Sequence, residues 1–225
     1  IEYSKVPSIA MNRYRNAFFK HDGDRMTQYI NDVKSGDAKI NASVLFPHQL
    51  YQAINGGQNA DAVEAQWYAM PDYMADSTER ILPVCDVSGS MTGLPMDVSV
   101  SLGLYISERN KGIFKDAFIT FSEKPVMQYL QGSVAMKMRQ LTNADWGMNT
   151  NLQAVFRLIL DVAKRDSLPA DEMPTKILII SDMEFDMATS NNKITNFEKI
   201  KKEYAKAGYA LPTLIFWNVN SRNHH

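Results

Sequence analysis

The 225-residue chain carries 24 Lys and Arg residues against 25 Asp and Glu residues, a formal net charge of −1 at pH 7. This balance argues against a globally basic nucleic-acid-binding protein, but it does not exclude a local basic patch. No run approaches the roughly 18–20 apolar residues of a membrane span, and the single cysteine, Cys85, excludes an internal disulfide framework. We therefore expect an intracellular, cytoplasmic protein with an ordinary globular composition.

Residues 1–79 are expected to form a helical segment. Around Met11–Phe19 and Arg25–Val33, apolar and aromatic residues recur at three- and four-residue spacing, which indicates amphipathic helices. Glycines at positions 23, 36, 56 and 57 interrupt this pattern.

From residue 80 onward, predicted strands and helices alternate. Strands are predicted at Ile81–Cys85, Asp116–Phe121, Val126–Leu130, Lys176–Ser181 and Leu211–Asn218. Helices are predicted at Met96–Arg109, Ser133–Leu141, Leu152–Lys164 and Ile194–Ala207. This alternation predicts an α/β fold with a doubly wound, mostly parallel, Rossmann-like sheet in residues 80–225, preceded by the helical segment.

The most informative segment is Ile81–Met91. Asp86 ends its apolar strand, and Ser88 and Ser90 follow around Gly89, which gives the turn conformational freedom. Residues after a parallel strand lie at the carboxyl edge of the sheet, where open α/β folds bind ligands. Carboxylate and hydroxyl oxygens suit Mg²⁺, Mn²⁺ or Ca²⁺. The segment therefore predicts a metal-binding loop.

Other interpretations of this loop fit less well. A phosphate-binding loop would need a Lys after its glycines, and none follows here. An aspartyl-nucleophile phosphatase would place a second Asp at the position of Ser88. The structural alternative is that the serines only cap a helix beginning near Leu94.

Two more segments bring oxygen donors to the same edge. Thr150 immediately precedes the helix predicted from Leu152, and Asp182 follows the strand Lys176–Ser181. Because carboxyl ends of parallel strands meet at one edge, we expect one metal site built from three loops. Its expected ligands are Asp86, Ser88, Ser90, Thr150 and Asp182.

The order of these residues resembles a known pattern. Asp86-x-Ser88-x-Ser90, then Thr150, then Asp182 is similar to the metal-ion-dependent adhesion site (MIDAS) of von Willebrand factor A (vWA) domains. The resemblance covers roughly residues 80–220. It implies that the hydroxyls touch the ion, while the carboxylates act directly or through water. It also implies a further helix and strand after the one predicted at Leu211–Asn218, so the vWA-like domain is expected to be C-terminally incomplete.

A narrower resemblance involves the whole chain. The segments CDVSGSM, DWGMNT, ISDMEFD and IFWN, with IEYSKVPSIAM and LFPHQL nearer the start, resemble an uncharacterised family known only as a domain of unknown function. That family is similar to the vWA half of the TROVE/Ro ribonucleoproteins. The resemblance implies that residues 1–79 are part of a larger helical domain.

Three functions are open from these observations. A divalent cation held by few carboxylates accepts an anionic oxygen from outside, which favours a metal-dependent ligand-binding module for a protein partner that donates an acidic side chain. The Ro resemblance implies RNA binding instead, and this would need Lys5, Arg13, Arg15, Lys20 and Arg25 to converge on one face. A metal-dependent phosphoryl hydrolase would use Glu184 or Asp186 as its base. The oligomeric state stays open.

Overall fold

The structure is a computed structural model that describes residues 1–145, 147, 151–182 and 191–219, with the backbone alone for 191–196. Its α-helices are α1 Ser8–His21, α2 Gly23–Ser35, α3 Pro47–Asn55, α4 Ala60–Tyr68, α5 Leu94–Arg109, α6 Val134–Thr142, α7 Leu152–Arg165 and α8 Asn191–Lys206. Its strands are β1 Ile81–Cys85, β2 Ala117–Thr120, β3 Met127–Tyr129, β4 Lys176–Ser181 and β5 Thr213–Asn218. Among the described helices, none combines the length and the apolar composition that crossing a bilayer demands.

The five strands form one sheet in the order β3-β2-β1-β4-β5. β2, β1, β4 and β5 are parallel, whereas β3 pairs antiparallel with β2 at one edge. The predicted doubly wound, mostly parallel α/β fold is confirmed. The strand order reverses at β1 and β4, so the loops after these two strands leave a crevice between them, which is where such sheets bind ligands.

Alternate residues of the strands enter two separate cores. Leu82 and Val84 of β1 pack with α7 and α8 on one face of the sheet. Cys85, on the other face, packs with α5 and α6. This alternation is the period-two geometry of a strand buried on both sides, and it explains why β1 and β4 read as continuous apolar runs.

Residues 1–79 are divided between two cores. Tyr3, Met11 and Met26 form a core of α1, α2 and part of α4. Leu50 of α3 and Trp67 of α4 instead join the core on the α5 face of the sheet. The boundary predicted between residues 79 and 80 therefore does not separate two independent hydrophobic cores.

A half-buried polar network reinforces this junction. The Trp67 indole donates to the Glu108 carboxylate at 2.6 Å, and the Lys137 ammonium donates to Glu108 at 2.9 Å and to Asp116 at 2.7 Å. Burial alone would lower the pKa of Lys137, but these hydrogen bonds to Asp116 and Glu108 outweigh it and raise the pKa. The network thus holds α4, α5, α6 and the start of β2 together.

Helix α5 approaches β1 closely at one glycine. A Cβ atom on Gly103 would lie 2.3 Å from the Sγ of Cys85. Cys85 is a buried free thiol, as predicted, and burial, followed by the charge of Asp86, raises its pKa. Gly103 therefore sets the distance between α5 and β1, and with it the position of the loop that joins them.

We expect Gly103→Ala to lower the free energy of unfolding by about 1–3 kcal/mol, because the new methyl overpacks the contact with Cys85. Urea unfolding measures the effect. Gly23→Ala in α2 is the control, since its Cβ meets no atom within 4 Å, and it should be neutral or stabilising. Adding Cys85→Ala to Gly103→Ala should restore part of the loss; an unchanged loss would contradict the assigned contact.

Candidate metal centre

The register of β1 and β4 brings the two carboxylate-bearing loops together. Cys85 pairs with Ile180, and the Asp86 backbone N–H donates to the Ile180 carbonyl at 3.0 Å. Asp86 and Asp182 therefore follow neighbouring strands at the carboxyl edge, where the strand order reverses. This is the edge of the sheet at which the site was predicted.

Asp86 is fully buried and carries the central carboxylate of the site. Its Oδ1 accepts from the Ser88 backbone N–H at 2.9 Å, and its Oδ2 accepts from the Ser181 hydroxyl at 2.5 Å. None of the ion pairs formed within the described residues includes Asp86. Because a buried charge is costly unless it is paired, a cation bound beside Asp86 would compensate this carboxylate.

Two serines and the second carboxylate continue from Asp86 toward solvent. The Ser88 and Ser90 hydroxyl oxygens lie 3.1 Å apart, and Ser90 donates to the Asp182 Oδ1 at 3.1 Å. Octahedral Mg²⁺ binds oxygen at 2.0–2.1 Å, so neighbouring ligands around it stand about 3.0 Å apart. The hydrogen-bonded oxygens thus have a spacing that is compatible with ligands of one such ion. Ser90 is exposed, so this oxygen cluster opens to solvent on one side.

The serines do not cap the following helix. α5 begins at Leu94 with Gly93 as its N-cap residue and no side-chain cap, and a short 3-10 helix, Gly89–Met91, lies between. The left-handed backbone of this loop is at Gly93, with φ of 92°, rather than at Gly89. The capping interpretation fails, and both hydroxyls belong to the oxygen cluster.

Thr150 lies outside the described residues, and so do Glu184 and Asp186. The described residues on either side of 148–150 are nevertheless anchored near the site. Gly147 N–H donates to the Phe121 carbonyl at 2.9 Å, and Asn151 N–H donates to the Ser122 carbonyl at 3.2 Å. Both acceptors follow β2, which pairs directly with β1.

The contact of Ser181 with Asp86 was not predicted from the sequence. This buried last residue of β4 was interpreted only as part of a strand, yet its hydroxyl fixes the orientation of the Asp86 carboxylate. The pairing of β1 with β4 places Ser181 beside Asp86, and the sequence alone does not reveal which strands pair. The described residues contain no group of three His, Cys, Asp or Glu side chains suited to a metal, so a metal at this site would have to be held by hydroxyls beside two carboxylates.

The convergence of five basic residues that the RNA alternative would need is not present in the described residues. Arg15 is fully buried, donates to Asn12 at 3.1 Å and to Gln66, and has its pKa lowered to about 10 by burial. Lys5 pairs with Glu2 and Arg25 with Asp22. Of the five predicted residues, the two that are exposed without an ion pair in the described structure are Arg13 and Lys20.

Comparisons with known proteins give two matches of family models. Residues 80–225 match a family described as Domain of unknown function (DUF7788), and residues 1–79 match Domain of unknown function (DUF2828). An uncharacterized protein of Acanthamoeba polyphaga mimivirus is 32% identical over 240 residues, which include 99% of this chain but 42% of the viral protein. The chain thus spans less than half the length of that relative. No solved structure matches.

We expect Ser181→Ala to lower the free energy of unfolding by about 1–3 kcal/mol, because it removes a donor from the buried Asp86 carboxylate. Ser99→Ala is a matched control, since the buried Ser99 hydroxyl has no hydrogen-bond partner within the described residues, and its loss should be neutral or stabilising. Thermal and urea unfolding measure both variants. Equal effects of the two substitutions would show that Ser181 does not support Asp86.

Proposed function

We propose that this chain, which belongs to the DUF7788 family, binds a divalent cation and uses it to capture an acidic group of a macromolecular partner. The membership rests on a match that covers more than half of the chain. The observation that carries the proposal is the buried Asp86 carboxylate. It lacks a cationic partner among the described residues, and the loop that follows it holds Ser88 and Ser90 in a hydrogen-bonded cluster with Asp182.

The donor atoms favour a hard cation. Asp86, Ser88, Ser90 and Asp182 would hold it, with Thr150 as the expected fifth ligand from the neighbouring loop. Oxygen donors of this kind select Mg²⁺, Mn²⁺ or Ca²⁺ over softer metals. The nearby thiol of Cys85 is packed against Gly103 in the core and points to no zinc site.

The same donor set favours ligand capture. When bound, the cation would supply a positive site that the two carboxylates and neutral hydroxyls leave open to an outside anionic oxygen. Asp86 is fixed by two hydrogen bonds, so its carboxylate needs no reorganisation. Ser90 lies on the solvent side, where a partner can approach. The likeness to a MIDAS supports this assignment, and the buried free thiol of Cys85 fits an intracellular setting.

Mg²⁺ or Mn²⁺ should stabilise the protein against unfolding, because a ligand that binds the native state shifts the equilibrium by mass action. At a concentration 100 times Kd we expect about 2.7 kcal/mol, or roughly 5–10 °C in Tm for a chain of this size. Asp86→Asn should abolish this shift while leaving the metal-free protein at least as stable as wild type, since it removes an uncompensated buried charge. Differential scanning fluorimetry in EDTA and in added metal measures both effects.

Asp97→Asn is the control for this experiment. Asp97 lies in the first turn of α5, but its carboxylate accepts from Gln52 at 2.7 Å and is not part of the oxygen cluster. The metal-induced shift should survive this substitution, whereas Thr150→Ala should remove it. A wild-type Tm that does not respond to EDTA or added metal would overturn the proposed metal site.

RNA binding is the second candidate function, and it is supported by a basic surface on α8 rather than by the five residues named from the sequence. Lys199, Lys202 and Lys206 are exposed on α8, and their spacing of three and four residues places them on one helix face. None of the three takes part in an ion pair within the described residues. The hydrolase alternative depends on Glu184 and Asp186, which lie outside the described residues, and stays a prediction.

If α8 binds RNA, substituting Lys199, Lys202 and Lys206 together by Gln should lower the slope of log affinity against log salt by about 2, because about 0.7 is lost for each single-strand phosphate contact. Fluorescence anisotropy of a labelled oligouridine between 50 and 200 mM KCl measures this slope. Gln substitutions of Arg13 and Lys20 are the control. If the triple Lys variant has the same slope as wild type, the α8 face does not bind RNA.

A further inference from the structure

Arg15 of α1 is a fully buried cation that the proposed function does not use. Its Nη2 donates to the Asn12 side-chain oxygen at 3.1 Å and to the Gln66 side-chain oxygen, both of which belong to neutral amides. Its Nε and Nη1 are buried without a hydrogen-bond partner in the described part of the chain, and no ion pair formed there includes Arg15. A buried charge without a counter-charge is costly, so an anion bound beside Arg15 would stabilise the protein.

The Arg15 guanidinium is directed toward the N-terminus of α1. Asn12, which accepts a hydrogen bond from it, precedes Arg15 by one helical turn, and side chains on a helix lean toward its N-terminus. The Gln66 amide connects the guanidinium with the start of the helix. Its oxygen accepts from Arg15, and its nitrogen donates to the Ser8 carbonyl at 3.3 Å. A single amide group therefore separates the guanidinium from Ser8, the first residue of α1.

The first turn of α1 supplies further hydrogen-bond donors. The backbone N–H groups of Ser8, Ile9 and Ala10 have no acceptor among the residues that the structure describes, and the N-cap residue, Pro7, provides no side-chain cap. Together with the helix dipole, these N–H groups place partial positive charge at the start of a 14-residue helix. Pro7 and Ile9 are exposed, so an anion can reach this turn from solvent.

We propose that Arg15 and the first turn of α1 form an anion site that takes a phosphate group, either as the free ion or as a small phosphomonoester. The phosphate oxygens would accept from the N–H groups of Ser8, Ile9 and Ala10, and the Arg15 charge would stabilise them from the buried side. A phosphate suits this arrangement because its several oxygens can accept from backbone and guanidinium donors together. The site is independent of the proposed metal centre, since none of its donors belongs to the loops at the carboxyl edge of the sheet.

Thermal unfolding of the full chain in EDTA tests the proposal, with low-millimolar sodium phosphate compared with sodium chloride of equal ionic strength. EDTA keeps phosphate from binding through a divalent cation, and the low concentration keeps the general stabilising effect of phosphate small. Phosphate at about ten times Kd should raise the Tm by about 3–6 °C, because it binds the native state. Arg15→Gln, which removes the charge but keeps an amide donor, should lose this shift. Isothermal titration calorimetry with inorganic phosphate and with glycerol 3-phosphate then shows whether the free ion or the ester binds more tightly.

Arg13→Gln is the matched control, because Arg13 lies on the same helix but is exposed, and it should keep the wild-type phosphate shift. Pro7→Asp tests the helix terminus separately. An Asp side chain at the N-cap accepts from the N–H groups of the first turn and places a carboxylate where the phosphate would bind. This variant should have a higher Tm than wild type without phosphate and no further shift with it. If Arg15→Gln does not melt cooperatively, Pro7→Asp decides the test.

Three results would overturn the anion site. The first is a wild-type Tm that phosphate and chloride raise equally, together with no heat of binding for phosphate or its ester. The second is a phosphate shift that survives Arg15→Gln or Pro7→Asp in a cooperatively folded protein. The third is loss of the shift in Arg13→Gln, which would indicate general attraction to a basic surface. The metal-induced shift expected from the proposed function should be the same in wild type and Pro7→Asp, so failure at one site does not imply failure at the other.

Discussion

A buried carboxylate at the tip of the central strand is the constraint on which the arrangement depends. Asp86 sits where the strand order reverses, out of contact with solvent, and its two oxygens receive hydrogen bonds from the Ser88 backbone and the Ser181 hydroxyl. Neutral donors orient a carboxylate but do not neutralise it. The close approach of α5 at Gly103 and the pairing of β1 with β4 keep this carboxylate in place, and the proposed cation would compensate its charge.

Much of the fold follows from hydrophobic periodicity alone. β1 and β4 were predicted to the residue because strands buried on both faces form short apolar runs with sharp ends. α3 and α4 were not predicted individually. The buried residues of α4 include Gln66 as well as Ala62 and Trp67, so the buried face of this helix differs little in polarity from its exposed face. Its position is set by cores that it shares with α2 and α5, which local pattern does not encode.

In the candidate site, too, the residues that local sequence identifies were predicted, and the one that depends on a distant contact was not. Asp86, Ser88, Ser90 and Asp182 were predicted together because each follows a strand whose end could be recognised, and the structure joins them by hydrogen bonds. Ser181 was missed because its role depends on a contact across 95 residues. The burial of Arg15 was not predicted for a different reason: a count of charges does not show that Ser8, Met11 and Arg15 form one buried helical stripe.

The helical segment belongs to the same physical unit as the metal centre. Gln52 of α3 donates to Asp97 in the first turn of α5, only a few residues after the Ser88–Ser90 loop, and Tyr51 contacts Thr142 of α6 at 2.9 Å. Separating residues 1–79 from the rest would expose the apolar face of α5 and remove Trp67 from Glu108. Since α5 also positions the serine loop against β1, the helices that cover α5 contribute to the geometry of the site. The shape of the surface around the candidate metal centre therefore depends on both sequence regions.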